Sequence, residues 1–283
     1  MKYQEILNRG SKILKLNNIK SYNLDSEILL STTLKLDRSQ LILNLDKKIE
    51  NKEKKNFLNF IKRRTKNEPI AYITGYKEFW KSSFKVDKNV LIPRPDTETI
   101  IEQVLKELDN YSSKKILDIG TGSGCILISI LNERKKCFGV GIDISKKAIQ
   151  IANVNSKRIG MLNRSKFKVM DLEKLNEGKY DLIVSNPPYI PTKDIKNLSK
   201  DIINHEPIVA LNGGVDGLDL IKKVIYKSNH LLKREGLLAL EIGYSQYQRV
   251  SYILRCNGYR EMSKEYDFNR NVRCIIGTKV RFF

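Results

Sequence analysis

The sequence predicts a doubly wound α/β fold: a mostly parallel sheet of seven strands, preceded by a small N-terminal helical bundle. From Lys114 onward, short apolar runs alternate with amphipathic segments. Strands separated by helices indicate a parallel sheet covered by helices on both faces. Before that region, apolar residues recur at helical spacing, which indicates helices rather than strands.

The bundle is predicted over residues 1–75. Ile6, Gly10 and Leu14 share one helical face, and turn signals such as LNNIKSYN and KLDRSQ separate successive helices. The segment NKEKKNFLNFIKRRTKN predicts an amphipathic helix with a basic face. That face is either a solvated surface or a docking surface for a partner.

Residues 76–95 predict a hairpin or linker, because EFWKSSFKVDKNVLI combines aromatic residues with alternation. Pro93 and Pro95 then favour an extended chain. Asp96 or Thr97 is placed to cap the helix that follows, which opens the second domain, residues 96–283.

Five segments of the second domain predict parallel strands: KKILDIG, CFGVGIDI, KFKVMDL, YDLIVS and GLLALEIG. Helices are expected from Gly124, over KKAIQIANVNSKRIG, around residues 217–233 and from about residue 245. The last two segments, REMSKEYD and RNVRCIIGTKVRFF, predict an antiparallel pair that closes one edge of the sheet.

Composition limits the class of protein. The 283 residues contain no apolar run near the roughly 18 needed to span a membrane, and the first residues are too polar for a signal peptide. We therefore expect a soluble cytoplasmic protein. The four cysteines form no CxxC pair and the chain has two histidines, so we expect free thiols, no disulfides and no metal site.

The formal net charge is +20, and residues 1–85 carry 19 Lys and Arg against 9 Asp and Glu. Such an excess favours an anionic partner, either a nucleic acid or an acidic or RNA-bound protein. An even background of lysine is the alternative.

The stretch ILDIGTGSGC runs from a strand through Asp118 into Gly120, Gly122 and Gly124. Glycines allow a tight turn and a close approach of the backbone to a ligand. Asp143 ends the next strand, where a carboxylate can accept hydrogen bonds from both hydroxyls of a ribose. A dinucleotide site is the competing prediction, but it usually reads GxGxxG, and an acid before the first glycine suits a cationic ligand without phosphate better.

The sequence pattern DxGxGxG resembles motif I of class I methyltransferases that use S-adenosylmethionine. That resemblance implies a cofactor site formed by Gly120, Thr121, Gly122, Ser123, Gly124, Asp143, Asp171, Leu172 and Asn186. Asp171 and Leu172 stand at the corner that contacts adenine in this class. Asp171 has the alternative role of a structural turn cap.

SNPPYI follows the fourth strand and places Asn186 beside the predicted cofactor. The signature resembles that of methyltransferases that modify planar nitrogens. The Asn186 side-chain oxygen and the Pro187 carbonyl would each accept one N–H of the target, and Tyr189 would supply a flat surface. Asn186, Pro187 and Tyr189 are the expected catalytic residues, and Pro188 lies with them against the substrate.

EPIAYITGYKEFW, LIPRPDTE, LDIGTGSG, SNPPYI, HEPIVALNGGVDGLD and LALEIG occur in that order. Together they resemble the bacterial release-factor glutamine N5-methyltransferase family. That resemblance implies methylation of the glutamine in the Gly-Gly-Gln loop of class-1 peptide chain release factors. It also implies substrate docking by residues 1–75 and substrate contacts from Arg94 and Pro95.

Two rival functions differ from this one. A DNA or RNA amino-methyltransferase acting on adenine N6 or guanine N2 would share NPPY and the positive charge. A non-enzymatic adaptor would have lost the glycine loop, Asp143 and Asn186, which are all present. We expect a monomer with class-1 release factors as partners and no stable complex with nucleic acid.

Overall fold

The computed structural model describes residues 1–267 and 269–280, and the chain divides into two compact units. One contains residues 1–76 together with 199–205, and the other contains 77–198 and the chain from residue 206. The last predicted strand segment extends to Phe283, so its final three residues lie outside the described residues. Among the described helices, none is long and apolar enough to cross a membrane.

The first unit is a helical bundle with a single apolar core. Gly10 shows why the helices pack closely, because a Cβ atom at this position would lie 2.5 Å from the Phe57 ring. The core is completed by Ile6, Leu14 and Leu29. Within residues 1–76, the helices of this unit in chain order are α1 (Tyr3–Leu16), α2 (Tyr22–Leu34), α3 (Arg38–Leu43), α4 (Asn51–Arg64) and α5 (Ile70–Thr74).

Part of the basic face predicted for α4 is used inside the bundle. Arg64 Nε lies 2.7 Å from Asp25 Oδ2 in a pair that is largely shielded from solvent, and Arg63 pairs with Glu68. Lys52, Lys55 and Lys62 of the same helix are exposed, together with others in this unit. The helix therefore stabilises the bundle with its arginines and leaves lysines on its surface.

The second unit carries a two-stranded sheet of β1 (Tyr76–Phe79) and β2 (Ser82–Lys85), β1 beginning at the last residue of the first unit. Asn155 ties this hairpin to the glycine loop. Its Oδ1 accepts the Lys85 N–H at 2.7 Å, and its Nδ2 donates to the carbonyls of Lys85 and Ser123.

Seven strands form the main sheet. They are β3 (Lys115–Ile119), β4 (Phe138–Asp143), β5 (Ser165–Val169), β6 (Tyr180–Ser185), β7 (Leu232–Glu241), β8 (Tyr259–Tyr266) and β9 (Val272–Lys279). Their order across the sheet is β5-β4-β3-β6-β7-β9-β8. The first five in this order pair in parallel, and β9 runs antiparallel to both β7 and β8. This arrangement confirms the predicted fold.

Helices cover both faces of this sheet, so neighbouring strand residues point into different cores. Ile116 packs into one core and Leu117 into the other, and Val184 and Ile183 divide in the same way. The remaining helices are α6 (Glu98–Glu107), α7 (Cys125–Glu133), α8 (Lys146–Ile159), α9 (Lys200–His205, in the first unit), α10 (Asp219–Leu231) and α11 (Tyr247–Cys256).

The strand order reverses direction at β3. The chain continues from β3 to β4 on one side and returns later to β6 on the other. The loops that leave the carboxyl ends of β3 and β6 therefore separate, and a crevice forms between them.

Candidate active site

A cavity of about 480 Å³ opens at the carboxyl ends of β3, β4 and β6, at the position that the strand order predicts. Its volume falls within the range of roughly 300–1,000 Å³ that small-molecule sites occupy. Six of the predicted cofactor residues are in its wall, which includes Gly120, Gly122, Asp143, Asp171, Leu172 and Asn186. The fold thus brings together residues from four separate stretches of sequence.

Two of the three glycines of the loop after β3, Gly120 and Gly124, have different structural roles. Gly120 has φ +71°, and a Cβ atom built on it would meet nothing within 4 Å. Because glycine has no Cβ atom, this part of the cavity wall stays open. Gly124 has φ +81° and is the N-cap residue of α7. A Cβ atom there would lie 2.9 Å from Ile128 Cδ1, so Gly124 serves packing and is not in the cavity wall.

Asp118 lies behind the glycine loop rather than in the cavity wall. Its side chain is buried and its Oδ2 accepts the Thr121 hydroxyl at 2.6 Å. Burial raises the pKa of Asp118 to about 7, against the opposing effect of the Thr121 hydrogen bond. The acid that precedes the first glycine therefore holds the loop and does not line the cavity.

Thr121 and Ser123 face away from the cavity. The N–H groups of Gly120 and Thr121 both donate to the Ile142 carbonyl, which joins the loop to β4. Ser123 is buried, and its carbonyl accepts from Asn155. Neither residue is in the cavity wall, and these backbone contacts stabilise the loop's shape.

Asp143, the last residue of β4, has its carboxylate oriented by two backbone donors. Its Oδ2 accepts the Gly122 N–H at 3.0 Å and its Oδ1 accepts the Ser145 N–H at 2.9 Å. Burial raises the pKa of Asp143, and these hydrogen bonds act in the opposite direction. A carboxylate has about four acceptor sites, so two remain for a vicinal diol in the cavity.

Asp171 and Leu172 follow β5 after one intervening residue, Met170, because the strand ends at Val169. Asp171 Oδ1 accepts the Glu173 N–H at 3.0 Å and caps a 3-10 turn, which is the structural alternative raised by the sequence. Leu172 is buried and presents an apolar surface to the cavity.

Asn186 leaves β6 at the cavity with one end of its amide already bonded. Its Nδ2 donates to Thr97 Oγ1 at 3.1 Å, so its Oδ1 is the acceptor left for a ligand. Pro188 is also in the cavity wall, whereas Pro187 is buried outside it. The geometry therefore offers an oriented amide oxygen at the mouth of a small-molecule site.

Comparison with known proteins identifies this arrangement. Residues 5–75 match the PrmC N-terminal domain, and residues 96–215 match the methyltransferase small domain. The release factor glutamine methyltransferase of Clostridium acetobutylicum is 40% identical over 284 residues, covering 99% of each chain. Its counterpart from Coxiella burnetii is 39% identical, with 92% of this chain and 93% of that one covered.

The chain belongs to the release factor glutamine methyltransferase family. It is a methyltransferase that uses S-adenosylmethionine, which confirms the cofactor predicted from the glycine loop. A solved methyltransferase from Pyrococcus furiosus shares the fold, with a TM-score of 0.54 at 16% identity, covering 79% of this chain and 99% of that one.

The methyltransferase cavity fits S-adenosylmethionine on the residues present. Asp143 offers acceptors for ribose hydroxyls, Leu172 offers an apolar surface for the adenine ring, and the missing Cβ of Gly120 makes room for the ligand. Lys88 and Lys223 are the basic residues in the wall, and Lys223 pairs with Glu173 at 2.6 Å.

Tyr189 is not in the wall of this cavity. Its hydroxyl donates to Glu241 Oε1 at 3.2 Å, and its ring packs against the core that contains α10 and α11. Burial raises the pKa of the Tyr189 hydroxyl, and the nearby Glu241 carboxyl adds to the effect. The hydroxyl is thus engaged inside the protein.

Arg94 is in extended backbone and Pro95 begins the 3-10 turn before α6, so the extended chain predicted here ends before Pro95, and neither residue is in the cavity wall. The Arg94 guanidinium pairs with Glu206, whose side chain is 1% exposed, and the other oxygen of Glu206 accepts the Ile92 N–H. Glu206 therefore clamps the segment that carries Arg94. Its sequence context shows no sign of this role, because the contact joins residues more than 100 positions apart.

Two glycines of the loop after Leu211 allow that loop to pass close to the backbone of the NPPY segment. A Cβ atom on Gly213 would lie 2.7 Å from the Pro188 carbonyl oxygen, and one on Gly217 would lie 2.4 Å from that of Tyr189. Buried Gln246 also donates to the Tyr189 carbonyl, at 2.9 Å. These contacts fix the backbone of NPPY, and sequence reasoning did not find them.

Proposed function

We propose that this methyltransferase transfers the methyl group of S-adenosylmethionine to the side-chain amide nitrogen of a glutamine. The target is the glutamine in the Gly-Gly-Gln loop of class-1 peptide chain release factors. Full-length similarity to release factor glutamine methyltransferases supports this substrate. The observation that carries the chemistry is Asn186, which borders the cavity with its amide oxygen free.

The protein's contribution is orientation of a poor nucleophile. S-adenosylmethionine, when bound, supplies a methyl group on a positively charged sulfur. An amide nitrogen shares its lone pair with the carbonyl group, so it attacks weakly. Asn186 Oδ1 accepts one of its hydrogens and the Pro187 carbonyl accepts the other, which holds the nitrogen with its lone pair toward the methyl group. Such positioning can contribute up to roughly 7–11 kcal/mol.

The two prolines suit this task for a simple reason. Neither has an N–H group, so no backbone donor from Pro187 or Pro188 competes for the acceptors. Tyr189 supplies a flat surface for the planar amide through its ring, because its hydroxyl is bound to Glu241. Arg94 and Pro95 border the path of the substrate loop, and the clamp at Glu206 keeps their segment in place.

Residues 1–75 dock the release factor in this proposal, and residues 96–283 carry the reaction. The exposed lysines of α4 provide a positive surface for a partner that works on the ribosome. The proposal places the enzyme in the cytoplasm, because its substrates are factors of translation, and takes it to act as a monomer.

A transfer assay tests the proposal directly. Labelled S-adenosylmethionine is offered with release factor, the same factor with its loop glutamine replaced, bulk DNA or ribosomal RNA, each in a separate reaction. We expect label on the intact factor alone. Label on nucleic acid would instead support an amino-methyltransferase of bases, the function that the net charge of +20 would also suit.

A further inference from the structure

Two buried polar side chains lie behind Asn186 and come from separate parts of the chain. Thr97, in the 3-10 turn before α6, accepts a hydrogen bond from Asn186 Nδ2 at 3.1 Å. Glu241 ends β7, and its Oε1 accepts the Tyr189 hydroxyl at 3.2 Å. Thr97 and Glu241 are only 2% and 1% exposed.

Glu241 is incompletely bonded for a buried carboxyl. Its Oε2 is buried without a partner at normal hydrogen-bond distance among the described residues. The Thr97 hydroxyl approaches the same carboxyl and lowers its pKa as a hydrogen-bond donor. A buried acceptor without a partner costs free energy, so the nearest hydroxyl hydrogen is drawn toward it.

While Glu241 is ionised, this arrangement sets the direction of the hydrogen bonds between Asn186, Thr97 and Glu241. A carboxylate only accepts, so the single hydrogen of Thr97 is directed to Glu241. Thr97 then turns a lone pair toward Asn186, which must present its NH₂ group in return. The Asn186 oxygen is thereby turned toward the cavity.

We infer that Thr97 and Glu241 are positioning residues that hold the Asn186 amide with its oxygen toward the substrate nitrogen. The inference rests on the proposed function, because the oxygen matters only if it receives an N–H of the target. Without Thr97, the Asn186 amide could turn over and present a donor to a group that is itself a donor.

The protonation state of Glu241 decides which way these hydrogen bonds run. Burial raises the pKa of Glu241 to about 7, while Thr97, Tyr189 and Arg273 act to lower it and Asp96 acts to raise it. Two buried thiols, Cys125 and Cys274, also interact electrostatically with Glu241, and burial keeps their pKa values well above the usual range. A protonated Glu241 could donate to Thr97 and reverse the chain, so turnover should fall as the pH drops below about 7.

The experiment compares four variants at saturating S-adenosylmethionine with release factor as substrate. T97V removes the hydroxyl at similar size, and T97S keeps it. E241Q removes the charge at constant shape. T99V is the matched control, because Thr99 lies two residues away and its hydroxyl donates to the Asp96 carbonyl instead. The measurements are kcat, KM for the release factor, Kd for S-adenosylmethionine, melting temperature and the pH dependence of kcat.

We expect T97V to lower kcat by about 10- to 100-fold with cofactor Kd changed less than about 3-fold, since small misplacements at a reacting group have effects of this size. T97S should recover most of the activity, and T99V should keep wild-type kcat. E241Q should lower kcat and lose the decline near pH 7. Asp118, whose pKa is also about 7, remains in that variant, so its titration cannot account for the loss.

Wild-type kcat in T97V, or an unchanged acid decline in E241Q, would overturn the inference. A drop in kcat that merely follows the melting temperature, with T99V affected equally, would also overturn it, because it indicates a structural role. If the wild-type enzyme labels no glutamine, the proposed function fails instead, and that result is visible before any variant is measured.

Discussion

Asn186 illustrates how much of this site depends on the direction in which one side chain points. Its amide carries a donor end and an acceptor end of almost equal size, and they would have opposite effects on a substrate N–H. Thr97 takes the donor end, at 3.1 Å. The proposed chemistry then follows from the end that is left, so removing the side chain should remove orientation while leaving the fold intact.

We expect N186A to lower kcat by at least about 10²-fold, the size of loss seen when one oriented polar group is removed from an active site. The melting temperature should stay near that of the wild type, because Asn186 borders the cavity and is not a core residue. Steady-state kinetics and circular dichroism provide the measurements. Turnover close to the wild type would exclude the role proposed for Asn186.

Asp143 should affect the cofactor rather than the transfer step. D143A removes the acceptors offered to a ribose, and it also frees the N–H of Gly122, which its carboxylate orients. We expect the Kd for S-adenosylmethionine to rise about 10- to 100-fold, since each lost hydrogen bond to a charged group is worth about 1.5–3 kcal/mol. Calorimetry gives the Kd directly, and an unchanged value would disprove the ribose assignment.

At the scale of the element, the glycine loop separates ligand contact from packing. Gly120 and Gly124 both have positive φ values, so an alanine at either one costs about 1–2 kcal/mol in backbone strain. Their surroundings differ, because the Cβ of Gly120 would point into open space and that of Gly124 would lie 2.9 Å from Ile128 and 3.2 Å from Phe167. The two substitutions should therefore have different consequences.

We predict that G120A weakens S-adenosylmethionine binding more than it lowers stability, because its methyl group enters the cavity. G124A should show the reverse, with overpacking adding about 1–3 kcal/mol to the strain and a smaller change in Kd. Denaturant unfolding and calorimetry on both variants give the two quantities. Equal effects on Kd would show that the loop acts as a unit and that this division is wrong.

The elements were predictable from sequence because their signals are local. The apolar run YDLIVS indicates a strand and the spacing of Ile6, Gly10 and Leu14 indicates a helix without reference to any other segment. Asn186 and Asp143 were predictable for a related reason, since parallel strands bring their carboxyl ends together.

The residues that support the site were not predictable in this way. Thr97, Glu206 and Glu241 act through partners on distant segments, and their contacts depend on strand register and loop paths. Asp118 shows the same limit, because its position before the glycines indicates the type of ligand but not that its side chain is buried and bonded to Thr121. Sequence spacing identifies which loops meet but does not determine which side chains turn inward.

At the scale of the whole molecule, the net charge of +20 sets how the protein responds to pH. Acid adds further positive charge and increases self-repulsion in the folded state. Asp118 and Glu241 act in the opposite sense, because burial raises the pKa of each to about 7. Each carboxyl therefore binds its proton more strongly in the folded protein than in the unfolded chain.

The sign of this effect leads to a test with D118N. Between the ordinary Asp pKa of 3.8 and the folded value of about 7, folded Asp118 keeps a proton that the unfolded chain has released. Its contribution to stability is complete below about pH 4 and is lost as the pH rises through 7, with a slope of at most about 1.4 kcal/mol per pH unit.

D118N has no proton to lose, so its unfolding free energy relative to the wild type should rise from pH 5 to pH 7 and then level off. Urea unfolding of both proteins across this range measures that difference, and any constant cost of the substitution cancels from the slope. A difference independent of pH would mean that Asp118 is ionised throughout, with its charge balanced by the hydrogen bonds of the glycine loop.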